Sequence, residues 1–464
     1  MKKILFKLLL LVWIAWSLGA GCRLWGMDAT QSLSVAIFSG SILATLFFWD
    51  FRLGFAFIGT AVLLITKTID LEHVIEFSSL EVILFLVGMM VIIGLLKDAG
   101  VFSLIVRWIL HFRNLTGRRF VLLISVVSFL LACSVDEVTS IIFMVAAILE
   151  ICAYLEVSPV PFVIISVLAT NIGSAATVLG NPIGILIASK SGLTFEDFIT
   201  RAFPLAVVCL AVAVAIVMVW YRRSIRAIDV KIHGAWRSVL VSGPVLASSP
   251  RELRVSVGIF LATLVGISLH HRVEIACDLA PNTVLLVVPL IVAGCVMIWK
   301  HGHARKYIEK DVEWWTLLFF LLLFVKAGTL KYTGATLFLA EKLMAATAHS
   351  PGLLTCVILW TSTIGSSILD NVMLVAALIP VIQGLDVLSV NLGPLWWALL
   401  FGGCLGGNIT LVGSTANIVA LGIMEKEKNI RMTFLSWFGI GLTVGVATTL
   451  VAWAALAFLP YYQH

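Results

Sequence analysis

Charge is scarce in this chain. Asp, Glu, Lys and Arg make up 12% of its 464 residues, about half the ~25% share of an ordinary soluble domain. Paired cysteines are missing too. Eight are scattered singly with no C-x-x-C, so neither a disulfide framework nor a thiolate metal site is indicated. Cys133, Cys209, Cys295, Cys356 and Cys404 fall within apolar segments, where small buried hydrophobes belong. There is no G-x-x-x-x-G-K-[ST] phosphate loop and no G-x-S-x-G elbow, so the chain carries neither an ATPase motor nor that class of hydrolase. Metal-spaced histidine clusters are absent as well, which leaves little basis for a membrane-embedded enzyme. "HGH" at 301–303 lies in a basic loop and reads as solvated.

Apolar residues are abundant instead, at 61%. Runs of 16–20 recur from end to end, close to the ~20 residues a helix needs to cross about 30 Å of hydrocarbon. Lipid cannot satisfy an open backbone, so such a chain folds as an all-α, polytopic bundle of membrane helices. The net charge of +6 collects in loops and reads as topology signal, not as a nucleic-acid surface. The start, "MKKILFKLLLLVWIAWSLGAGC", has the basic end and apolar run of a signal peptide,. Cys22 invites a lipoprotein reading, but Gly19 stands where a large aliphatic is wanted, and membrane segments follow. Residues 1–31 are read as an uncleaved first helix.

Basic loops face the cytoplasm. The longest polar stretch, 222–254, carries Arg222, Arg223, Arg226, Lys231, Arg237, Arg251 and Arg254, and "KHGHARKYIEKD" at 300–311 lies two spans later on the same side. Counting from Lys2, Lys3 and Lys7 gives spans near 4–21, 32–48, 53–67 and 79–96. This places "TIDLEHVIEF" outside and Lys97 inside. The counts agree only if two later apolar pieces fail to cross.

Those pieces belong to an internal repeat. At an offset of 234, "EVILFLVGMMVIIGLLKDAGVFSL" (81–104) aligns without gaps to "WTLLFFLLLFVKAGTLKYTGATLF" (315–338), placing Gly94, Lys97 and Gly100 on Gly328, Lys331 and Gly334. The same offset carries Asp136 onto Asp370. With one residue dropped, Gly173, Thr177 and Gly180 fall on Gly406, Thr410 and Gly413. Chance likeness of apolar helices explains shared Leu and Val, but poorly explains Lys, Asp, Gly and Thr in matching order.

Repeat 1 covers 32–221. It has an interfacial helix at 101–112, a re-entrant hairpin at 120–155 and an interrupted helix at 161–190. Repeat 2 covers 255–464, with a hairpin at 352–389 and an interrupted helix at 394–424, every direction reversed. With the first helix this makes about 11 spans, the N-terminus inside and the C-terminus outside. Inverted repeats with interrupted helices mark secondary transporters that hold substrate near the midplane.

Asp136, Glu137 and Asp370 fall at the hairpin tips, with Thr139 and Asn371 beside them. A charge there costs about 2.5–3.5 kcal/mol on insertion scales, so each carboxylate is a candidate carrier of a proton or cation. The alternative is an interfacial tip, or a cap on the following helix. "TNIGSAATVLGNPIG" (170–184) holds Asn171, Gly173, Thr177, Gly180 and Asn181. Its partner holds Gly406, Asn408, Thr410, Gly413, Ser414 and Asn417. Glycine and proline unwind a helix, freeing carbonyls for a cation such as Na+ and N–H groups for an anion. Close helix packing explains the glycines, but not the asparagines or Pro182.

"LDN" within an apolar run, "ATNIGSAATVLGNPIGILIA" and "GGNITLVGSTANIVALGI" before "EKEKN" resemble the ion transporter superfamily. The nearest branches are arsenite permeases, bacterial sodium/proton antiporters and citrate-transporter-like permeases. The resemblance covers roughly 80–455. It implies an inverted-repeat, usually homodimeric permease of a bacterial-type cytoplasmic (inner) membrane, with a scaffold part and a moving part. Two departures stand out. Asp-Glu replaces the Asp-Asn common at the first hairpin, and "NPIG" replaces a "DPPN"-like sequence. The function expected is secondary active transport of a small ion, coupled to a proton or sodium gradient, with no other cofactor. Three intramembrane acids favour a sodium/proton type or a cation-coupled anion type. An arsenite- or dicarboxylate-type permease, or a component driven by a separate ATPase, stays open.

Overall fold

Among the described residues every regular element is a helix and none is a strand, as a backbone surrounded by lipid requires. The computed structural model describes residues 2–110, 116–229, 249–430 and 432–462. Most of the basic linker, 230–248, lies outside these, as do 111–115. Among the described residues eight helices are long and apolar enough to cross a membrane, or nine if Pro250–Ser268 and His270–Cys277, bent by 59°, form one span. Large apolar side chains such as Leu24, Ile298 and Leu435 stand exposed on the outside of the bundle, where lipid tails and not water are the neighbours they suit.

Residues 120–155 hold two helices, Gly117–Ser134 and Glu137–Tyr154, reversing at Val135 and Asp136. Residues 352–389 hold Pro351–Ile368 and Asn371–Asp386, reversing at Leu369 and Asp370. These are the first and second hairpins. The glycine-rich segments interrupt helices at two places. Val160–Gly173 stops and Pro182–Ser191 begins after an eight-residue gap, and Gly393–Gly406 is followed by Thr415–Lys428. Restarting is chemically specified. Asn181 accepts a hydrogen bond from the Gly184 N–H at 3.1 Å, and Pro182 at the first helical position has no N–H to leave unpaired. In the second gap Ser414 accepts from the Ala416 N–H at 3.1 Å.

The hairpins pack by matching rules. The first arm of each lies on the first half of the broken helix that follows it, Gly117–Ser134 on Val160–Gly173 and Pro351–Ile368 on Gly393–Gly406. The second arms cross over. Glu137–Tyr154 packs on Thr415–Lys428, and Asn371–Asp386 packs on Pro182–Ser191. Close approach sets the glycines at the first contact. A Cβ on Gly173 would lie 2.5 Å from the Phe129 carbonyl oxygen, and one on Gly406 would fall on that of Thr363. Phe129 and Thr363 are themselves 234 apart. The helices flanking the hairpins cross over too, Leu80–Asp98 against Thr283–Trp299 and Trp314–Tyr332 against Arg52–Ile65.

Candidate functional site

Both hairpins end in a capping aspartate. Asp136 accepts from the backbone N–H groups of Val138 and Thr139, each at 2.8 Å. Asp370 accepts from the Val372 N–H at 3.1 Å and from the Thr415 hydroxyl at 2.6 Å. A carboxylate at a helix N-terminus meets unpaired N–H groups and the positive end of the helix dipole. Backbone N–H groups therefore hold both aspartates, joined at Asp370 by the Thr415 hydroxyl.

The next residue of each hairpin meets its counterpart. Asn371 donates to Glu137 Oε1 at 3.3 Å and Oε2 at 3.4 Å, and Asn181 donates to Oε2 at 3.5 Å. Glu137 is 2% exposed and both amides are 1% exposed. Among the described residues no Lys, Arg or His forms an ion pair with Glu137, Asp136 or Asp370. A bare carboxylate in such surroundings is costly, and a proton or small cation relieves that cost.

Beside this contact lies a cluster of amides. Asn171 donates to Asn408 Oδ1 at 3.0 Å and to Asn417 Oδ1 at 2.9 Å. Asn417 donates to the carbonyls of Gly407 at 2.7 Å and Thr410 at 2.8 Å, which the second break has freed. Asn171 Oδ1, Asn408 Nδ2 and Thr170 Oγ1 remain buried without a partner. Gly180 and Gly413 let each break fold back on itself, beside the carbonyls of Ser174 and Gly407 respectively.

A threonine ties each break to its hairpin. Thr177 donates to the Cys133 carbonyl at 2.5 Å, and Thr410 donates to that of Ser367. Replacing either hydroxyl orphans a buried carbonyl. Thr177→Val and Thr410→Val are each expected to cost about 1–3 kcal/mol, read as a lower thermal midpoint of the solubilised chain. Unchanged midpoints in both would show that the tips are held another way.

Two cavities approach these tips from opposite ends of the helices. The first, of ≈ 220 Å³, reaches Asp136, Glu137, Thr139, Asn181 and Thr415, and its wall includes Lys97, Asp311 and Glu313. The second, of ≈ 570 Å³, is lined by His73, Ser79, Lys190, Lys331 and Gln383, and comes no nearer than Leu186 and Ala376. Helix Leu80–Asp98 has Ser79 at the second cavity and Lys97 at the first. Matching residues line them: Met90, Ile93, Gly94 and Lys97 in the first, Phe324, Ala327, Gly328 and Lys331 in the second, each pair 234 apart.

The residues singled out in the sequence thus form a tip contact (Asp136, Glu137, Thr139, Asn181, Asp370, Asn371) and an adjoining amide cluster (Asn171, Asn408, Asn417). Thr177, Thr410, Ser414 and the glycines shape both. Sequence reasoning missed Glu313 and Cys404, whose sulfur receives an Asn181 N–H at 3.3 Å. Thr415, in the "GSTAN" of the second interrupted helix, was legible with Ser414 and Asn417 as a hydrogen-bonding group. Glu313 has Ser79 at the repeat-equivalent position, so the repeat gave no signal. Among the described residues no group of three or more His, Cys, Asp or Glu is arranged to hold a metal. His301 and His303 are exposed.

Residues 42–402 match the sequence profile of the citrate transporter (CitMHS) family. The chain belongs to the citrate transporter family. Of the branches resembled by its motifs, this is the one the match supports. It is 32% identical over 385 residues to an uncharacterized transporter of Mycobacterium tuberculosis, covering 82% of this chain and 86% of that one. Identity to the 46 kDa membrane protein of Mycobacterium leprae is 30% over 376 residues, covering 80% and 84%. The human P protein is 27% identical over 465 residues, covering 82% of this chain and 54% of that protein. In fold, the chain is similar to the crystal structure of the Alcanivorax borkumensis YdaH transporter, with a TM-score of 0.54 at 15% identity, covering 85% and 87%. With its family and its apolar helices, the protein is a polytopic membrane transporter and not an enzyme.

Proposed function

We propose that the protein is a secondary active transporter of a cytoplasmic membrane, moving a small ion by alternating access coupled to a proton or sodium gradient. In this reading the two halves are inverted repeats, the two hairpins are re-entrant, and the chain crosses about 11 times. One observation carries it. Glu137 lies where the hairpins touch, bonded to its own repeat-equivalent Asn371, and lines the first cavity but not the second. Residues that meet their own equivalents lie on a two-fold axis, the place where inverted-repeat transporters hold cargo.

Basic loops define the cytoplasmic face. Lys97 and Lys310 line the first cavity, so this conformation admits ions from the cytoplasm. The other face opens when the hairpins move relative to the helices that flank them. The acids at the tips suit a proton or sodium ion, as in sodium/proton exchange or cation-coupled anion uptake. The matched family's description favours a carboxylate as the anion, while an arsenite- or dicarboxylate-type permease is the competing assignment.

Liposomes carrying the purified chain test this. Imposed sodium and proton gradients are expected to drive citrate or succinate uptake, or sodium-dependent internal pH change, and ionophores that collapse both gradients are expected to stop it. Flux indifferent to both gradients rejects the coupling, and flux that needs ATP points to a separate ATPase.

A further inference from the structure

The mouths of the two cavities are built alike and charged differently. Each is roofed by a short segment that precedes the flanking helix of the other half. Gly94 lies under Tyr307 and Asp311, and Gly328 lies under Phe77. Asp311 and Phe77 are 234 apart, as are Lys97 and Lys331. One pair of positions therefore holds Lys97 and Asp311, joined at 3.4 Å, and the other holds Lys331 and a phenyl ring.

Deprived of that carboxylate, Lys331 donates, among the described residues, only to the neutral Gln383 side chain, at 3.3 Å. It is exposed to the cavity. Lys190 stands in the same wall, its charge shared with Glu81 at 3.2 Å. His73 is fixed there by Asp70 at 2.8 Å and by the Tyr332 ring, 4.2 Å away between centroids. Hydrogen bonding from His73 also holds the Asp70 carboxyl below its ordinary range. Glu76 is the one carboxylate lining this cavity, against Lys190 and Lys331. The first cavity has four, Asp136, Glu137, Asp311 and Glu313, against Lys97 and Lys310.

We propose that the wider cavity is an anion-capture vestibule with Lys331 as its charged anchor. It takes a small di- or trivalent oxyanion, a polycarboxylate or a phosphate-like ion, on its way to the hairpin tips. The proposal rests on the transport reading above, because a vestibule has meaning only on a path. The volume of ≈ 570 Å³ falls within the ~300–1,000 Å³ of small-molecule sites. The lysines and carboxylates lining the second cavity sum to one net positive charge and those of the first to two net negative. Such a difference biases the local counter-ion concentration, so of the two mouths this one suits an anion, at Lys331, which bonds no carboxylate among the described residues.

The test labels the full chain in lipid nanodiscs with a limiting amine-acetylating reagent and reads each lysine by mass spectrometry. Citrate and phosphate are titrated separately against chloride at matched ionic strength. Saturable protection of Lys331 by either anion, without protection of Lys97 or Lys342, is the expected result. The arm that protects identifies the oxyanion. Protection of Lys331 no greater than that of Lys342 in both arms overturns the proposal. In flux measurements Lys331→Gln is expected to raise the half-saturating anion concentration about tenfold, the loss of one charge-assisted hydrogen bond, with Lys331→Arg restoring it. A Lys331→Gln variant that lowers only the maximal rate overturns the capture role. Labelling needs no gradient, so protection without gradient-coupled flux would reject the coupled-transport reading and leave Lys331 as an anion-binding site only.

Discussion

Glu137→Gln is expected to reduce gradient-coupled transport on the order of a hundredfold while leaving the protein folded. The amide keeps the shape and can still bond Asn371 and Asn181, which hold the carboxylate at 3.3–3.5 Å. What it loses is the charge proposed to take up the coupling ion. Contacts to a desolvated charge are worth about 3 kcal/mol, and each 1.4 kcal/mol is a factor of ten. Stability is expected to hold or rise slightly, because a buried charge without a counter-ion has been removed. Initial rates in liposomes and a thermal melt of the same preparation measure the two effects. Coupled flux at the wild-type rate would remove Glu137 from the mechanism. Glu137→Ala is a poorer probe, since it strands the amide donors and confounds folding with function.

The second large effect is structural. Gly406→Ala is expected to destabilise the chain by about 1–3 kcal/mol or to prevent folding, the usual range for overpacking. The obstacle is the Thr363 carbonyl, a backbone atom that no rotamer change can move aside. Gly173→Ala meets Phe129 in the same way, 2.5 Å from its carbonyl oxygen, and should behave alike. Gly422 supplies the contrast, because a Cβ there meets nothing within 4 Å. Gly422→Ala should leave the melting temperature unchanged or raise it slightly through helix propensity. Equal melting temperatures for Gly406→Ala and Gly422→Ala would show that the hairpin does not press on the broken helix.

Much of the helical layout was legible because its signals are local. Apolar run length marks the long helices, and Gly, Asn and Pro mark the two interruptions. Hairpin turns are announced by an acid between apolar arms. The contacts between these pieces were less legible, since nothing periodic links Glu137 to Asn371 across 234 residues. Sequence alone offered Asp136, Glu137 and Asp370 together as candidate carriers. In the structure Oδ1 of Asp136 and Oδ1 of Asp370 each cap a helix, and Glu137 is the residue the two hairpins share. Lys326 was equally hidden. It sits in the middle of an apolar helix, 1% exposed, with its ammonium donating to the Ala56 carbonyl at 3.1 Å. Only the packing of Arg52–Ile65 against that helix supplies the acceptor.

The two cavities have an electrical consequence. They enter from opposite ends of Leu80–Asp98, a helix of 19 residues and therefore roughly 28 Å long. Filled with electrolyte, each would carry the potential of its own bulk phase inward, and nearly all the membrane voltage would fall across the side chains between them. The field is thereby concentrated at the hairpin tips. An ion bound at Glu137 would then traverse almost the whole potential, about 2.3 kcal/mol per 100 mV for a unit charge, during a hairpin displacement far shorter than the bilayer is thick. Turnover should accordingly be steeply voltage-dependent, with the sensitivity located at the tips.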